Sequence, residues 1–427
     1  MLLFFVRHFN DIDHISPIAW KLLENNCPVT VLCMNIRYDF ANDYRIRLLE
    51  NRGAVVTSVA QAFERIQGRG SKCLHALMRA CLRMENPIQV RQKTKPSKAV
   101  MWTAAFAGSM GTFLYKLTRL CYYRKKWAAQ ILLQTGTQVV FFDHIMPEHY
   151  VVGAFLDAAK ELSIPSVTLP HGVLLYTNEV TKAKSSDQRR RHKFSRYDHI
   201  VATNQLRKKA LIKSGVPADK IVVLGSARYC PEWMAQNSEI LPKVIEDRVE
   251  RPNPLKLVFF PSKPQCNVDL ERMSATLKLL ASIDGIRVMI KPHTRSAGRT
   301  ELSGYRNIYD ASDILTAELC AWADAVLVVG SSVVTEALAR GKTALYLRYL
   351  HANTTLFEDL KACWVIRDES ELKKALSALR QDPQMKPYEA ENVSRYLFDV
   401  VQGGSDENDV LGGYLSFIRD TVKTSGR

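Results

Sequence analysis

The chain has 427 residues, 47% hydrophobic and 24% charged, with Gly and Pro at ordinary levels; this is enough for two cored domains and excludes a disordered or low-complexity chain. Lys and Arg outnumber Asp and Glu by 59 to 43, for a formal net charge of +16, which favours phosphates, acidic sugars, nucleic acid or an anionic bilayer as partners. Nine cysteines show no C-x-x-C spacing; they read as core thiols of a reducing compartment, not as a disulfide framework or a zinc site.

Leu2–Val6 reads as a strand. Its apolar run lacks the basic flank and small-residue cleavage site of a signal peptide. The loop Asn10–His14 follows, then a helix at Pro17–Glu24, a strand at Val29–Met34, a helix at Arg45–Asn51 and a strand at Ala54–Val59. This alternation predicts a parallel sheet. From Ala60 to Gln134 the text is helical and basic, and Ala99–Tyr115 runs uncharged between Lys98 and Lys116. Seventeen such residues fall short of the ~20 apolar positions of a spanning helix. A buried or interfacial helix is expected, and the run Arg91–Lys126 suits the surface of an anionic membrane.

Strands return at Gln138–Phe142, Ser166–Leu169, His199–Thr203 and Ile221–Leu224, with a helix at Val151–Leu162. The polar segment Ser226–Pro254 marks a domain boundary. The expected division is residues 1–235, a Rossmann-like acceptor domain with a helical insertion around 60–135, and residues 236–427, a Rossmann-like donor domain. In the second domain Lys256–Phe260, Arg287–Ile290, Ala325–Val329 and Thr343–Tyr346 are strands and Val333–Arg340 a helix. The fold class is α/β, with the two domains facing each other across a cleft. The basic clusters lack interleaved aromatics, and no nucleic-acid-binding signature is present, so nucleic acid is not an expected partner.

Val326–Lys342 carries the sharpest local signal. An apolar strand enters the turn Gly330-Ser331-Ser332, which opens a helix whose free N–H groups suit an anion. Ser331 or Ser332 serves equally as a plain N-cap with Thr335 or Glu336. Lys291, His293 and Arg295 follow another strand, at the sheet edge where ligands of open α/β sheets bind. Two cations and an imidazole suit a diphosphate or phosphodiester leaving group. Ser262 and Lys263, after the strand Lys256–Phe260, are assigned to the same donor site, as is Glu336.

Lys291-Pro292-His293 followed by Gly330-Ser331-Ser332 and Glu336 resembles the nucleotide-binding half of GT-B glycosyltransferases. The likeness is to cytidine-donor enzymes: sialyl- and polysialyltransferases, Kdo transferases and CDP-glycerol glycerophosphotransferases. The order here is Pro-His-Thr where the sialyltransferase motif has His-Pro. Pro170–Gly172, Gly225–Trp233 and Arg348–Thr355 are similar to bacterial surface-carbohydrate biosynthesis proteins. The resemblance implies a cytosolic, metal-independent transferase, peripheral at the inner membrane face, moving a sugar such as Kdo from CMP-Kdo to a glycan or glycolipid acceptor. No cofactor is implied beyond that nucleotide-sugar donor. Alternatives are a UDP-sugar or CDP-glycerol transferase, an isomerase like UDP-GlcNAc 2-epimerase, and a non-catalytic glycan-assembly subunit.

The catalytic candidates sit after strands or at the hinge. His14 positions or deprotonates an acceptor hydroxyl; Asp143 and Glu232 are candidate bases or nucleophiles; His171 lies in the turn Pro170-His171-Gly172. Asn10–His14 are equally readable as an Asx-rich helix start before Pro17, and Asp143 and His171 as turn residues bonding their own backbone. No metal-ligand spacing and no D-x-D occurs.

Overall fold

A computed structural model describes residues 1–35, 40–66, 98–121, 123–178, 191–245, 254–262, 268–292, 305–404 and 409–424, with a few isolated positions besides. The first sheet contains β1 (Leu2–Val6), β2 (Val29–Cys33), β3 (Val55–Ser58), β4 (Val139–Asp143), β5 (Ser166–Leu169), β6 (His199–Ala202) and β7 (Ile221–Val223). The second contains β8 (Leu255–Phe260), β9 (Ile286–Ile290), β10 (Ile308–Asp310), β11 (Ala325–Val328), β12 (Thr343–Leu347) and β13 (Trp364–Ile366). Their orders are β3-β2-β1-β4-β5-β6-β7 and β10-β9-β8-β11-β12-β13. Every strand pair is parallel.

The strands are unbroken apolar runs because helices cover both faces. Leu2, Phe4 and Val6 enter one core and Leu3 and Phe5 the other. Leu257 and Phe259 divide from Val258 and Phe260 in the same way. Register is fixed by like meeting like: Phe4 pairs with Phe141, their ring centroids 4.4 Å apart. The expected α/β architecture of two Rossmann-like domains is the one observed.

Three expectations change. The first helix is Phe9–Glu24, so Asn10–His14 lie in a helix, not a loop. Pro17, an apparent first helical residue, sits inside it; burial of Ile12, Ile15, Ile18 and Leu22 outweighs the missing backbone donor. The second domain does not run unbroken to residue 427. The helix Val410–Thr424 returns to the first core through Leu411, Tyr414 and Ile418. Val401 accepts from the Ser226 N–H at 2.8 Å, and Tyr414 Oη donates to the Gly225 carbonyl at 3.1 Å. Gly225 is required there: a Cβ on it would stand 2.2 Å from the Val401 oxygen. Finally, the expected helix Ala99–Tyr115 extends to Lys98–Cys121. No helix among the described residues is long and apolar enough to cross a membrane.

In each sheet the strand order reverses at one place, between β1 and β4 and between β8 and β11. Ligands of such sheets bind at the carboxyl ends of the strands beside that reversal.

Candidate functional site

The carboxyl ends of both sheets border one interdomain cleft of about 320 Å³. His14, His171 and Arg228 line it from the first domain, Pro261, Lys291, Ser331 and Ser332 from the second.

On the first wall, Arg7 directly follows β1, and its neighbour β4 ends in Asp143. Arg7 Nη2 donates to Asp143 Oδ2 at 2.5 Å, and Arg7 Nε and Nη2 to the Asp11 carboxylate at 2.6 and 2.9 Å. His171, after β5, places Nδ1 2.7 Å from Asp143 Oδ2. Asp11 and Asp143 are fully buried, whereas His171 keeps 24% of its side chain exposed. Burial, then repulsion from Asp143, pushes the Asp11 carboxyl up to about 6 against the pull of Arg7. Burial works against the Arg7 cation, but Asp11 and Asp143 outweigh it and hold its pKa above the ordinary value.

Asp143 is fully buried beneath Arg7 and His171 and is not among the residues that line the cleft. Glu232 opens the helix Pro231–Ile240 and pairs with Lys21 at 2.6 Å, away from the cleft.

His14 does border the cleft, yet its Nε2 accepts the Gly172 N–H at 3.0 Å. That lone pair fixes the turn carrying His171 and is not offered to a ligand. Burial, then Arg228, His171 and Arg45, hold His14 neutral well below the ordinary histidine range. Burial, then Arg348, pushes His351 down to about 4. Unfolded, each histidine takes a proton below about pH 6.5; folded, His351 does so only near 4 and His14 only well below the ordinary range. Stability is therefore complete above that value and is lost as pH falls, by about 1.4 kcal/mol per pH unit for each proton. His14→Gln, whose amide oxygen can accept from Gly172, should remove one histidine's share of the slope in urea unfolding between about pH 7.5 and 5. An unchanged slope would mean that His14 titrates normally.

On the second wall, Ser331 and Ser332 border the cleft at the start of the helix Val333–Ala339. Ser332 makes no side-chain capping bond, and Ser331 Oγ accepts only a long 3.4 Å bond from the Val333 N–H. Gly330, with φ +64°, lets Tyr176 approach from the first domain; Tyr176 Oη donates to its carbonyl at 2.6 Å. Lys291 borders the cleft, but its Nζ donates to the Ser312 and Ile314 carbonyls at 2.9 and 2.6 Å. It secures the 312–314 turn at the edge of the cleft, and burial lowers its pKa. Ser262 is half-buried and outside the lining. Lys263, His293 and Arg295 lie outside the described residues.

Glu336 faces the interdomain seam. Arg228 reaches it at 3.6 Å, Arg340 at 3.3 Å, and Arg228 also holds Asp13 at 3.0 Å. Asp13 is further paired with the buried Arg45. Burial opposes the Arg228 charge, but Asp13, Tyr229 and Glu336 raise its pKa. Arg228 thus ties both domains together beside the cleft.

Asp11, Asp143 and His171 each bring a ligand atom within 4.8 Å of one another, a grouping able to hold a metal ion. Arg7 already supplies a cation to both carboxylates, and an ion there would have to displace it or bear its repulsion. Arg7, Asp11, Asp13 and Arg228 were not among the sequence-derived site residues. The legible sign for Arg7 was a lone cation directly after the first strand.

No family model and no curated protein matches this chain. Solved structures do. The UDP-GlcNAc 2-epimerase from Neisseria meningitidis, bound to UDP-GlcNAc, aligns over 99% of this chain and 100% of its own, at 14% identity and TM-score 0.53. The S. aureus MnaA–UDP structure aligns over 99% and 96%, at 11% identity and TM-score 0.52. The wall teichoic acid polymerase TagF aligns over 99% and 89%, at 11% identity and TM-score 0.53. At these identities the likeness is one of architecture, and the chain has the GT-B-like fold of two Rossmann domains.

Proposed function

We propose that this protein is a glycosyltransferase that moves a sugar from a nucleotide donor to a hydroxyl of a surface glycan, using His171 as general base. The observation that carries the reading is His171, backed by Asp143, lining the same cleft as Ser331 and Ser332 of the opposite domain. Asp143 Oδ2 stands 2.7 Å from the Nδ1 edge of the ring, and in this reading Nε2 takes the proton of the acceptor hydroxyl. The imidazolium so formed lies against a carboxylate, which stabilises it. Opposite, the serine hydroxyls and the first N–H groups of the following helix suit the donor phosphate.

A general base, with no carboxylate free to attack the sugar among the described residues that line the cleft, favours inversion at the anomeric carbon. Asp13 borders the cleft, but Arg45 and Arg228 hold its oxygens. The cytidine donor, CMP-Kdo in our reading, is supported by the motif resemblance of Lys291–His293 and Ser331–Ser332. A second reading, an epimerase, is favoured by the end-to-end alignment with UDP-GlcNAc 2-epimerase.

Thermal-shift measurement with CMP, CDP, UDP and GDP tests the donor, since a ligand selective for the folded state raises apparent stability. Cytidine nucleotides should give the largest shift. A larger shift with UDP would replace the cytidine donor, and no shift with any of them would end the nucleotide reading. Conversion of UDP-GlcNAc to its C2 epimer without an acceptor, with the sugar still on the nucleotide, would favour the epimerase.

A further inference from the structure

Four of the exposed large apolar side chains among the described residues fall on one helix, Lys98–Cys121. They are Phe106, 70% exposed, Met110, Phe113, 60% exposed, and Leu117. Their spacing of four, three and four places them in a single row. Ala107, Gly111 and Leu114, about 100° around the helix, are buried and seat it on the protein. The exposed row is therefore left over after packing, and two phenylalanines so exposed are unusual for a face meant for water.

The charge around this row has one sign. From Asn86 to Phe142 the sequence contains nine Lys or Arg and no Asp or Glu. Lys116 stands exposed beside the row, and Arg124 and Lys126 are exposed just beyond its end. A second copy of this chain would bring the same positive charge to the interface and be repelled. An anionic lipid surface presents what the face lacks, acyl chains for the rings and headgroups for the cations.

We propose that the helix Lys98–Cys121 docks this protein on an anionic bilayer surface, inserting Phe106, Met110, Phe113 and Leu117 among the lipids without crossing. The face is separate from the cleft residues, and its binding is read without donor, so it stands or falls apart from the glycosyltransferase reading.

The full-length protein would be sedimented with phosphatidylcholine vesicles, with or without about 30 mol % phosphatidylglycerol. Expected is retention on the anionic vesicles alone, weakening as NaCl rises from about 0.05 to 0.5 M. The double variant Phe106→Ser, Phe113→Ser should bind at least ~10-fold more weakly, because each ring loses apolar contact with lipid. Its circular dichroism melt should match the wild type, since both positions are exposed. Equal retention of the variant, or of the wild type on neutral vesicles, would overturn the proposal. So would absence of vesicle binding together with a dimer in light scattering that the same variant dissociates, which would make a second copy the occupant.

Discussion

Replacing His171 by Gln should lower turnover by about 10²–10⁴-fold, the range for loss of a general base, while nucleotide affinity changes less than about twofold. The expectation follows from where the ring lies. Its Nδ1 is buried against Asp143 Oδ2 at 2.7 Å, while the side chain keeps an exposed edge on the cleft. Glutamine keeps the size and polarity but cannot take the proton of a hydroxyl. Because the phosphate is assigned to the opposite wall, ground-state donor binding should survive. Asp143→Asn should act through His171. It should reduce kcat with little effect on KM, and it should shift the acid limb of the pH–rate profile downward, because the imidazolium loses its carboxylate. A purely structural Asp143 would leave that limb in place.

The product's configuration at the anomeric carbon gives a second reading on the same assignment. Base catalysis on the acceptor yields inversion in one displacement. Retention, read by NMR, would require a covalent intermediate and point to Asp13, the carboxylate that does border the cleft. A His171→Gln variant within about tenfold of wild-type turnover would remove the base assignment.

The parts of this site visible in the sequence are those encoded locally. Strands β1, β4, β8 and β11 announce themselves because both faces are buried, and the Gly330 turn because it alone interrupts an apolar run before a helix. The three-residue edge strands β10 and β13 leave little period to read; Tyr309 and Asp310 are exposed. What sequence reading misses is partnership at a distance. Arg7 meets Asp143 across 136 positions, His14 meets Gly172 across 158, and Lys21 meets Glu232 across 211. Those pairings decide whether a carboxylate or imidazole is free to react. They set Asp143 against Arg7, His14 against the Gly172 N–H and Glu232 against Lys21. The return of the helix Val410–Thr424 is hidden for the same reason, since its apolar face is legible but its destination is not.

Replacing Arg7 by Met should cost about 3–5 kcal/mol of stability at neutral pH, the usual penalty when one member of a buried charge network is removed. Arg7 is the cation shared by two fully buried carboxylates. Even with it present, burial and Asp143 push Asp11 up to about 6. Without it the Asp11 carboxyl would be driven higher still. A carboxyl whose folded pKa is raised contributes stability that is whole below its unfolded value of about 4 and is lost as pH rises through the folded value. The variant should therefore be least stable at about pH 8 and approach the wild type near pH 5, where Asp11 binds a proton. That trend is opposite in sign to the one His14 and His351 impose. Urea unfolding of both proteins at the two pH values measures it. Arg7→Met combined with Asp11→Asn should recover part of the loss at about pH 8 by removing one of the two stranded charges. A deficit that is the same at both pH values, and untouched by Asp11→Asn, would mean that Arg7 contributes packing alone and that the charge balance under His171 has been misread.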